Sequence, residues 1–299
     1  MLPKSALNKA VEYIYAFGRD IDVAMYEYYF KKSHPSKVIN QLNKYVNNDG
    51  GFGKGLELDF TYEGSTPLST SIALNIIRQL HIYSNNHLTS EALEYLSNTK
   101  NYKNAWACIT KQVNDYPRAI WWEYTPSMKE TYTLNPTAEI IGYFYIFGGG
   151  VYRNTVHEML DACYAYLMHS DNGNEMHEII CLMKMIRMLP ANLRNRFTRF
   201  LRPRLNSSLC YDTSKYDTYV FTPLQVFESP DDPLYEIFRN QIEENLDYVI
   251  ESQNKDGSWD VPWKWQRDEH IFDNQLPKIT AYITLENIRR LKAFSRLGL

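Results

Sequence analysis

Apolar side chains recur along much of the chain at the three- and four-residue spacing of an α-helix that buries one face. A clear example is the stripe Leu234, Phe238, Ile242, Leu246, Val249 and Ile250. Comparable patterns predict further helices near residues 5–17, 20–31, 38–46, 68–80, 89–98, 136–147, 151–168, 176–186, 190–201 and 285–294. The strict alternation typical of strands is scarce. The pattern therefore predicts an all-α protein of roughly eleven helices.

The connections between these helices are alternately short and long. The long ones cover residues 47–66, 101–135, 202–232 and 253–279, and they hold most of the glycine, proline and tryptophan. Long specific loops often carry function. No low-complexity linker divides the chain, which predicts a single domain over residues 1–299. This alternation suits an α/α architecture, either a closed toroid or an open solenoid.

One turn phrase occurs near both ends of the chain. Residues 47–53 read Asn-Asn-Asp-Gly-Gly-Phe-Gly, and residues 253–260 read Gln-Asn-Lys-Asp-Gly-Ser-Trp-Asp. Asp-Gly supplies a side-chain acceptor followed by a residue free to take positive φ, and an aromatic ring comes next. The segment Asp171-Asn172-Gly173 is a candidate third copy. A repeated helix, turn and ring indicates stacked helical hairpins.

Composition narrows the class of protein. The 299 residues carry a net charge of −3, which gives no indication of a nucleic-acid partner. No stretch approaches the roughly 18 apolar residues of a membrane span. The N-terminus lacks a secretory signal and the four cysteines lack a CxxC pair, so reduced thiols and a cytoplasmic location are expected. Aromatic residues reach 14%, enough to line a cavity as well as fill a core.

The second turn phrase carries a family resemblance. Residues 253–259 resemble the Gln-x-x-Asp-Gly-Ser/Gly-Trp motif of squalene cyclases and the related repeat of protein prenyltransferase β subunits. More narrowly, the order of motifs is similar to that of a bacterial family in this superfamily that brings no known reaction with it. The matching pieces are residues 49–59, Ser65-Thr66-Pro67, Thr70, Ala119 with Trp121-Trp122-Glu123, Asn135-Pro136-x-Ala138, Met176-His177-Glu178, Asp256-Gly257-x-Trp259 and Trp263-x-Trp265.

This resemblance implies an α/α toroid, a closed ring of inner and outer helices around a central cavity. It implies an apolar, isoprenoid-like ligand in that cavity. The chain departs from the family's two known chemistries, because it has neither the Asp-x-Asp-Asp run of protonation-initiated cyclases nor a recognisable zinc set of the prenyltransferases. Function must therefore be argued from the site.

Four residues are the catalytic candidates: Glu57, Asp59, Glu123 and His177. Glu57 and Asp59 follow the first turn phrase in a glycine-rich loop, and paired carboxylates are able to divide acid and base roles. Such loop carboxylates equally often accept backbone N–H bonds. On a helix His177 shares a face with Cys181, which suits two metal ligands or a thiol with a base. A buried thiol beside a hydrogen-bonded histidine is the commoner arrangement.

A second group comprises the substrate-binding candidates. Adjacent tryptophans beside a carboxylate suggest a ligand wall with a polar anchor. Asn135 also fits a helix cap before Pro136. The full set is Phe52, Trp121, Trp122, Asn135, Glu178, Asp260, Trp263 and Trp265.

Three functions are compatible with these residues. The first is binding or transformation of an apolar isoprenoid-like molecule by carboxylate acid/base chemistry. The second is a carbohydrate-active α/α-barrel enzyme, with tryptophans stacked on sugars and carboxylates about 5–10 Å apart. The third is a non-catalytic binding or scaffold protein. A small-molecule ligand is predicted without a cofactor, a divalent metal stays open, and oligomeric state is left undetermined.

Overall fold

The computed structural model describes residues 1–83, 86–169 and 171–298. These residues contain twelve α-helices and isolated β-bridges but no named strand. The helices are α1 Lys4–Phe17, α2 Asp20–Lys31, α3 Ser36–Leu42, α4 Pro67–Gln79, α5 His87–Thr99, α6 Thr137–Phe147, α7 Arg153–Leu167, α8 Met176–Met188, α9 Ala191–Ser208, α10 Pro223–Val226, α11 Tyr235–Glu251 and α12 Glu269–Ala293.

Most predicted helices are confirmed within a few residues, but the predicted bounds of three were wrong. The helix α3 ends at Leu42, where a turn replaces the predicted extension to residue 46. The helices α9 and α12 continue through Pro203 and Pro277 respectively. Because an internal proline removes a backbone donor, sequence rules end a helix there too early. The predicted loop 253–279 accordingly gives way to helix from Glu269 onward.

The chain forms two compact units, one made of Met1–Gln41 with Leu209–Leu299 and one made of Leu42–Ser208. In the first unit α1 packs on α2 and α12, and α10 packs on α11. The expectation of a single domain stays a prediction.

The second unit is built around α6. This helix packs against α4, α5, α7 and α8, and α8 also packs on α9. Every residue of α6 from Thr137 to Phe144 is buried. Gly142 allows α6 and α8 to approach closely, because an added Cβ would lie 2.2 Å from Met188 Cε. The polar residues of α6, above all Glu139, are thus held deep inside this unit.

The repeated turn phrase forms the same hydrogen-bonded turn three times, at residues 47–52, 101–106 and 254–259. In each, the first N–H donates to the fifth carbonyl at 2.9 Å, and the fourth N–H donates back to the first carbonyl at 2.9–3.1 Å. The fourth residues are Gly50, Asn104 and Gly257, with φ of 80°, 57° and 94°.

The third copy follows α5. Trp106 Nε1 donates to Leu96 O at 2.8 Å, as Trp259 Nε1 donates to Val249 O at 2.7 Å, each reaching ten residues back. The sequence missed this copy because Lys103-Asn104 stands where the other two copies have Asp-Gly. The predicted copy at 171–173 begins beside Ser170, which lies outside the described residues; Gly173 there has a φ of 71°.

Candidate functional site

A pocket of about 240 Å³ lies within the unit Leu42–Ser208. Three segments of the long connection between α5 and α6 form its walls. The lining residues are Ala107, Cys108, Ile109, Trp121, Trp122, Ser127, Met128, Thr131, Thr133 and Asn135. Among these described residues none is an Asp, Glu, Lys, Arg or His, and the lining is divided between apolar residues and small polar ones. The structure therefore brings the predicted Trp121, Trp122 and Asn135 to one cavity.

The two tryptophans lie on a short 3₁₀ turn, Ile120–Trp122. Trp122 packs against the buried cluster of Phe60, Ile109 and Val113, and it meets the Phe60 ring edge-on at 6.3 Å between centroids. Trp121 is 41% exposed. One ring thus belongs largely to the core and the other to the pocket rim.

Glu123 follows this turn but does not line the pocket. Its Oε2 accepts from Arg118 Nη2 at 2.7 Å, and the buried Arg118 also donates to the carbonyls of Asn114 and Tyr116. The Asn114 side chain pairs with both backbone groups of Tyr124. These contacts hold both ends of the tryptophan turn, so the observed geometry gives Glu123 a positioning contact; the predicted catalytic role stays a prediction.

Glu178 anchors the segment after the pocket's threonines. This buried residue of α8 accepts three hydrogen bonds on Oε1: from Thr133 Oγ1 at 3.0 Å, Leu134 N at 2.8 Å and Tyr166 OH at 3.0 Å. A substrate that bound Glu178 Oε1 would therefore have to compete with these three protein donors. Glu178 also holds Thr133, which lines the pocket, in place.

Asn135 lies between two thiols. Cys108 Sγ donates to its carbonyl at 3.5 Å, and Cys181 Sγ donates to its Oδ1 at 3.7 Å. Burial raises the pKa of both thiols, and the negative charge of Glu139 raises each further. This keeps both cysteines protonated and argues against a thiolate nucleophile. The predicted cap at Asn135 is wrong: the Asn135–Pro136 bond is cis, and Pro136 occupies the cap position of α6.

A buried polar group lies beside these thiols. Glu139 accepts from Ser71 Oγ at 2.5 Å and from Lys184 Nζ at 2.6 Å, which joins α4, α6 and α8. Sequence analysis missed both Glu139 and Lys184, because they lie 45 residues apart on different helices and no local pattern joins them. The available signal was a single acid in the first turn of a helix that is apolar on all sides.

Glu57 and Glu175, from two of the predicted catalytic regions, both act on the pKa of the Cys108 thiol. After burial, the charges of Glu139, Glu57 and Glu175 are the groups that raise the pKa of this thiol. Glu57 Oε1 accepts from Asp59 N at 3.1 Å, and the Asp59 carbonyl accepts from Ala119 N at 2.8 Å. These bonds match the turn role foreseen for such loop residues. Charges in the first loop and at the start of α8 thus act on one lining residue.

His177 contacts Glu175, one of the carboxylates that act on the Cys108 thiol. Glu175 Oε1 lies 2.6 Å from His177 Nδ1, and Glu175 Oε2 accepts from the backbone N–H groups of His177 and Glu178. Glu175 is therefore the cap of α8 as well as the partner of the imidazole. Burial raises the pKa of Glu175, but the hydrogen bond and charge of His177 outweigh this and hold it below 4.5.

Replacing Glu175 with glutamine is expected to lower the free energy of unfolding by about 1 kcal/mol at pH 7. Because the folded-state pKa of Glu175 is depressed, its contribution is complete above about pH 5 and is lost as pH falls through the folded value. The difference between wild type and Glu175→Gln should therefore shrink steadily as the pH falls below about 4.5. Urea denaturation at several pH values measures this difference in the free energy of unfolding. Glu158→Gln, a substitution at an exposed position, is the control. A difference that is constant from pH 7 to pH 3 would contradict the charge dependence.

The remaining predicted residues lie elsewhere. Phe52 is fully buried, and its backbone N donates to Thr70 Oγ1 at 3.0 Å. In the other unit, Asp260 accepts from Asn254 Nδ2 at 2.9 Å, Trp263 meets the Tyr219 ring and Trp265 is fully buried on Phe272. Phe52 and Trp265 thus serve the core, because neither presents a surface to solvent or to the pocket. The described residues contain no cluster of three or more His, Cys, Asp or Glu side chains suited to a metal.

Comparisons with known proteins are informative at the level of fold. No protein-family model matches the chain, and a search of curated proteins finds no match. Among solved structures, the type II terpene cyclase MstE from Scytonema, a variant in complex with its substrate geranylgeranyl dihydroxybenzoate, is similar with a TM-score of 0.55. It has 10% sequence identity, and 97% of each chain is covered. A protein from Actinoplanes is similar with a TM-score of 0.54 and 10% identity, covering 96% of this chain and 98% of that one.

These similarities define the class of fold. The chain has a terpene-cyclase-like fold, and the predicted all-α fold of the α/α-toroid class is confirmed. Among the helices that the structure describes, none has the length and apolar character needed to cross a membrane.

Proposed function

We propose that the chain binds and transforms an apolar, isoprenoid-like small molecule by carboxylate acid/base chemistry. One observation carries the proposal: the pocket has a wall of Trp121, Trp122 and Met128 and no charged residue among its described lining residues. The terpene-cyclase-like fold supports the same reading, since the similar MstE was solved with a geranylgeranyl-bearing substrate.

The residues divide into three roles. Aromatic faces bind apolar ligands and attract cations, which suits Trp121 and Trp122 to a carbocation as well as to a hydrocarbon. Glu139 forms an ion pair with Lys184 and is assigned to electrostatic stabilisation. Glu57 and the Glu175–His177 pair are assigned to proton transfer. The acid donates a proton to an alkene carbon of the substrate, which leaves a carbocation. The base then removes a proton from a carbon next to the cationic carbon, so that a double bond forms again and no net proton is consumed.

The carbohydrate alternative is less well supported. A glycosidase needs two carboxyl groups flanking one sugar bond, whereas the similar MstE was solved with a geranylgeranyl-bearing substrate. The narrower bacterial family and the cytoplasmic location remain predictions, as does a catalytic rather than a scaffold role.

The proposal is tested with farnesol and geranylgeraniol on the full chain. Binding is measured by calorimetry and products by gas chromatography with mass spectrometry. Glu57→Gln and Glu175→Gln should each lower turnover by about 100-fold, while the dissociation constant changes by less than about threefold. Glu63→Gln, an exposed carboxylate in the same loop as Glu57, is the matched control and should leave both unchanged. Absence of binding to either alcohol would refute the proposal, and binding without any product would refute its catalytic part.

A further inference from the structure

Two adjacent arginines near the end of α12 have different surroundings. Arg289 forms a forked pair with Glu286: Nε donates to Oε1 at 3.1 Å, and Nη2 donates to Oε2 at 2.7 Å. Burial lowers the pKa of Arg289, but the charge and the hydrogen bonding of Glu286 outweigh this and raise it above its usual range. Both oxygens of Glu286 are thus engaged by Arg289, in the two-bond geometry that arginine and carboxylate favour.

Arg290 has no such partner. Its guanidinium makes neither a hydrogen bond nor an ion pair with any residue that the structure describes, and its Nε is buried. The two terminal nitrogens, Nη1 and Nη2, are equally unbonded but are not closed to solvent as Nε is, and the residue as a whole is partly exposed. A ligand is therefore able to reach the end of this guanidinium, although not its side.

The charge of Arg290 is poorly compensated. Burial lowers the pKa of its guanidinium, the negative charge of Glu286 raises it in part, and the positive charge of Arg289 lowers it again. Arginine stays protonated at any ordinary pH, so the folded protein holds a partly buried cation without a contacting anion. Because charges removed from water are ordinarily paired, this arrangement indicates that a ligand supplies the anion.

The face of α12 that carries Arg290 is open at one end. Tyr282, Glu286 and Arg290 follow one another at four-residue spacing, which aligns them on one side of the helix. Tyr282 is 39% exposed, and the guanidinium of Arg19 lies 5.9 Å from the centre of its ring. Arg19 is already paired, since its Nε lies 2.8 Å from Asp22 Oδ2. This side of the helix therefore offers an aromatic surface together with one arginine that lacks a contacting carboxylate.

We propose that Arg290 binds the carboxylate group of a small organic anion through its two terminal nitrogens. A planar carboxylate presents two oxygens that match the fork of Nη1 and Nη2. A singly charged group is favoured over a phosphate dianion, because the charges of Glu286 and Glu228 also act at this position and would repel a second negative charge. The site belongs to the unit of Met1–Gln41 with Leu209–Leu299, so the inference goes beyond the proposed function of the pocket.

Three probes that share a phenyl ring test this site: benzoate, the neutral benzamide, and phenyl phosphate, which is mainly a dianion at pH 7.5. Dissociation constants are measured on the full chain by ligand-observed NMR, which suits millimolar affinities. The proteins are wild type, Arg290→Lys, Arg290→Met and Arg239→Met. Arg290→Met keeps an apolar stem and removes the charge. Arg239→Met makes the same change at an exposed arginine of α11, in the same unit, that pairs with Glu236.

The expected result is a preference for the carboxylate that depends on Arg290. Wild type should bind benzoate about tenfold more tightly than benzamide, and also more tightly than phenyl phosphate. Arg290→Met should weaken benzoate binding by about tenfold or more. Arg290→Lys should weaken it less, because lysine keeps the charge but loses the fork, and Arg239→Met should leave it within about twofold.

Urea denaturation without any ligand distinguishes binding from a structural role. Arg290→Met should unfold at the same urea concentration as wild type or at a higher one, because it removes a poorly compensated charge. Arg289→Met should unfold at a lower concentration, because it leaves Glu286 without its cation. A lower midpoint for Arg290→Met would show that its charge stabilises the fold, and the proposal would be overturned.

The binding data decide the matter independently. Failure of benzoate to bind wild type, or an affinity no better than that of benzamide, overturns the proposal, as does equal benzoate binding by wild type and Arg290→Met. Tighter binding of phenyl phosphate than of benzoate overturns the assignment to a carboxylate. The comparison of probes on wild type needs no variant to fold. None of these results bears on the isoprenoid pocket, which is tested with farnesol and geranylgeraniol, so the two proposals fail separately.

Discussion

Replacing Glu178 with alanine is expected to lower the free energy of unfolding by about 3 to 5 kcal/mol, because three protein donors lose their acceptor at once. Thr133 Oγ1, Leu134 N and Tyr166 OH all donate to Glu178 Oε1 within 3.0 Å, and the carboxylate is buried. Two of these donors belong to the chain just before α6, which also lines the pocket. Loss of the carboxylate should therefore disorder the pocket as well as destabilise the unit. Chemical denaturation measures the free energy of unfolding, and calorimetry with farnesol measures how much ligand affinity is lost.

Two further variants isolate the cause. Glu178→Gln keeps an oxygen that accepts while removing the charge, so it should recover at least half of the stability lost in Glu178→Ala. Glu158→Ala on the exposed face of α7 removes a helical glutamate of the same type and should change stability by less than about 0.5 kcal/mol. A loss below about 1 kcal/mol in Glu178→Ala would show that the three hydrogen bonds are not what holds this segment.

The sequence predicted the helices well where one face is apolar and no proline intervenes. The stripe of α11, from Phe238 to Val249, is such a case. The prediction failed at α12, because the predicted helix began only at residue 285, whereas the helix starts at Glu269 and passes through Pro277. It also missed the turn at residues 101–106, since Asn104 reaches positive φ without the glycine that usually signals it. Sequence rules for turns depend on residue type, whereas the three turns share a backbone conformation that different residues adopt.

The candidate site was predictable only in part. Paired tryptophans at 121 and 122 are conspicuous in sequence, and they line the pocket. Glu139 and Lys184 are inconspicuous, because 45 residues separate them and their meeting depends on the packing of α6 against α8. For Glu123, the neighbouring tryptophans suggest a ligand anchor, and in the structure its carboxylate pairs with Arg118; its catalytic role stays a prediction. The adjacent tryptophans of the pocket wall could therefore be found from the sequence. The buried pair of Glu139 and Lys184 could not, because it depends on tertiary packing.

Replacing Lys184 with methionine is expected to lower the free energy of unfolding by about 3 kcal/mol, because it leaves a buried carboxylate without its cation. The side chain of Glu139 is 4% exposed, and Lys184 Nζ lies 2.6 Å from its Oε2. Ser71 Oγ still donates to the other oxygen, which is why the loss should fall short of the largest values for broken buried pairs. Chemical denaturation of the full chain measures the effect.

A double-mutant cycle separates the ion pair from the packing of the lysine stem. Glu139→Gln removes the charge and keeps an acceptor for Ser71, so Lys184→Met combined with Glu139→Gln should be more stable than Lys184→Met alone by about 1 to 2 kcal/mol. Lys184 also makes the pKa of Cys181 lower than burial alone would, so the cysteine should become less reactive toward thiol reagents in Lys184→Met. Strictly additive effects of the two substitutions would show that Glu139 is not held by Lys184. The assignment of Glu139 and Lys184 as a buried ion pair would then fail.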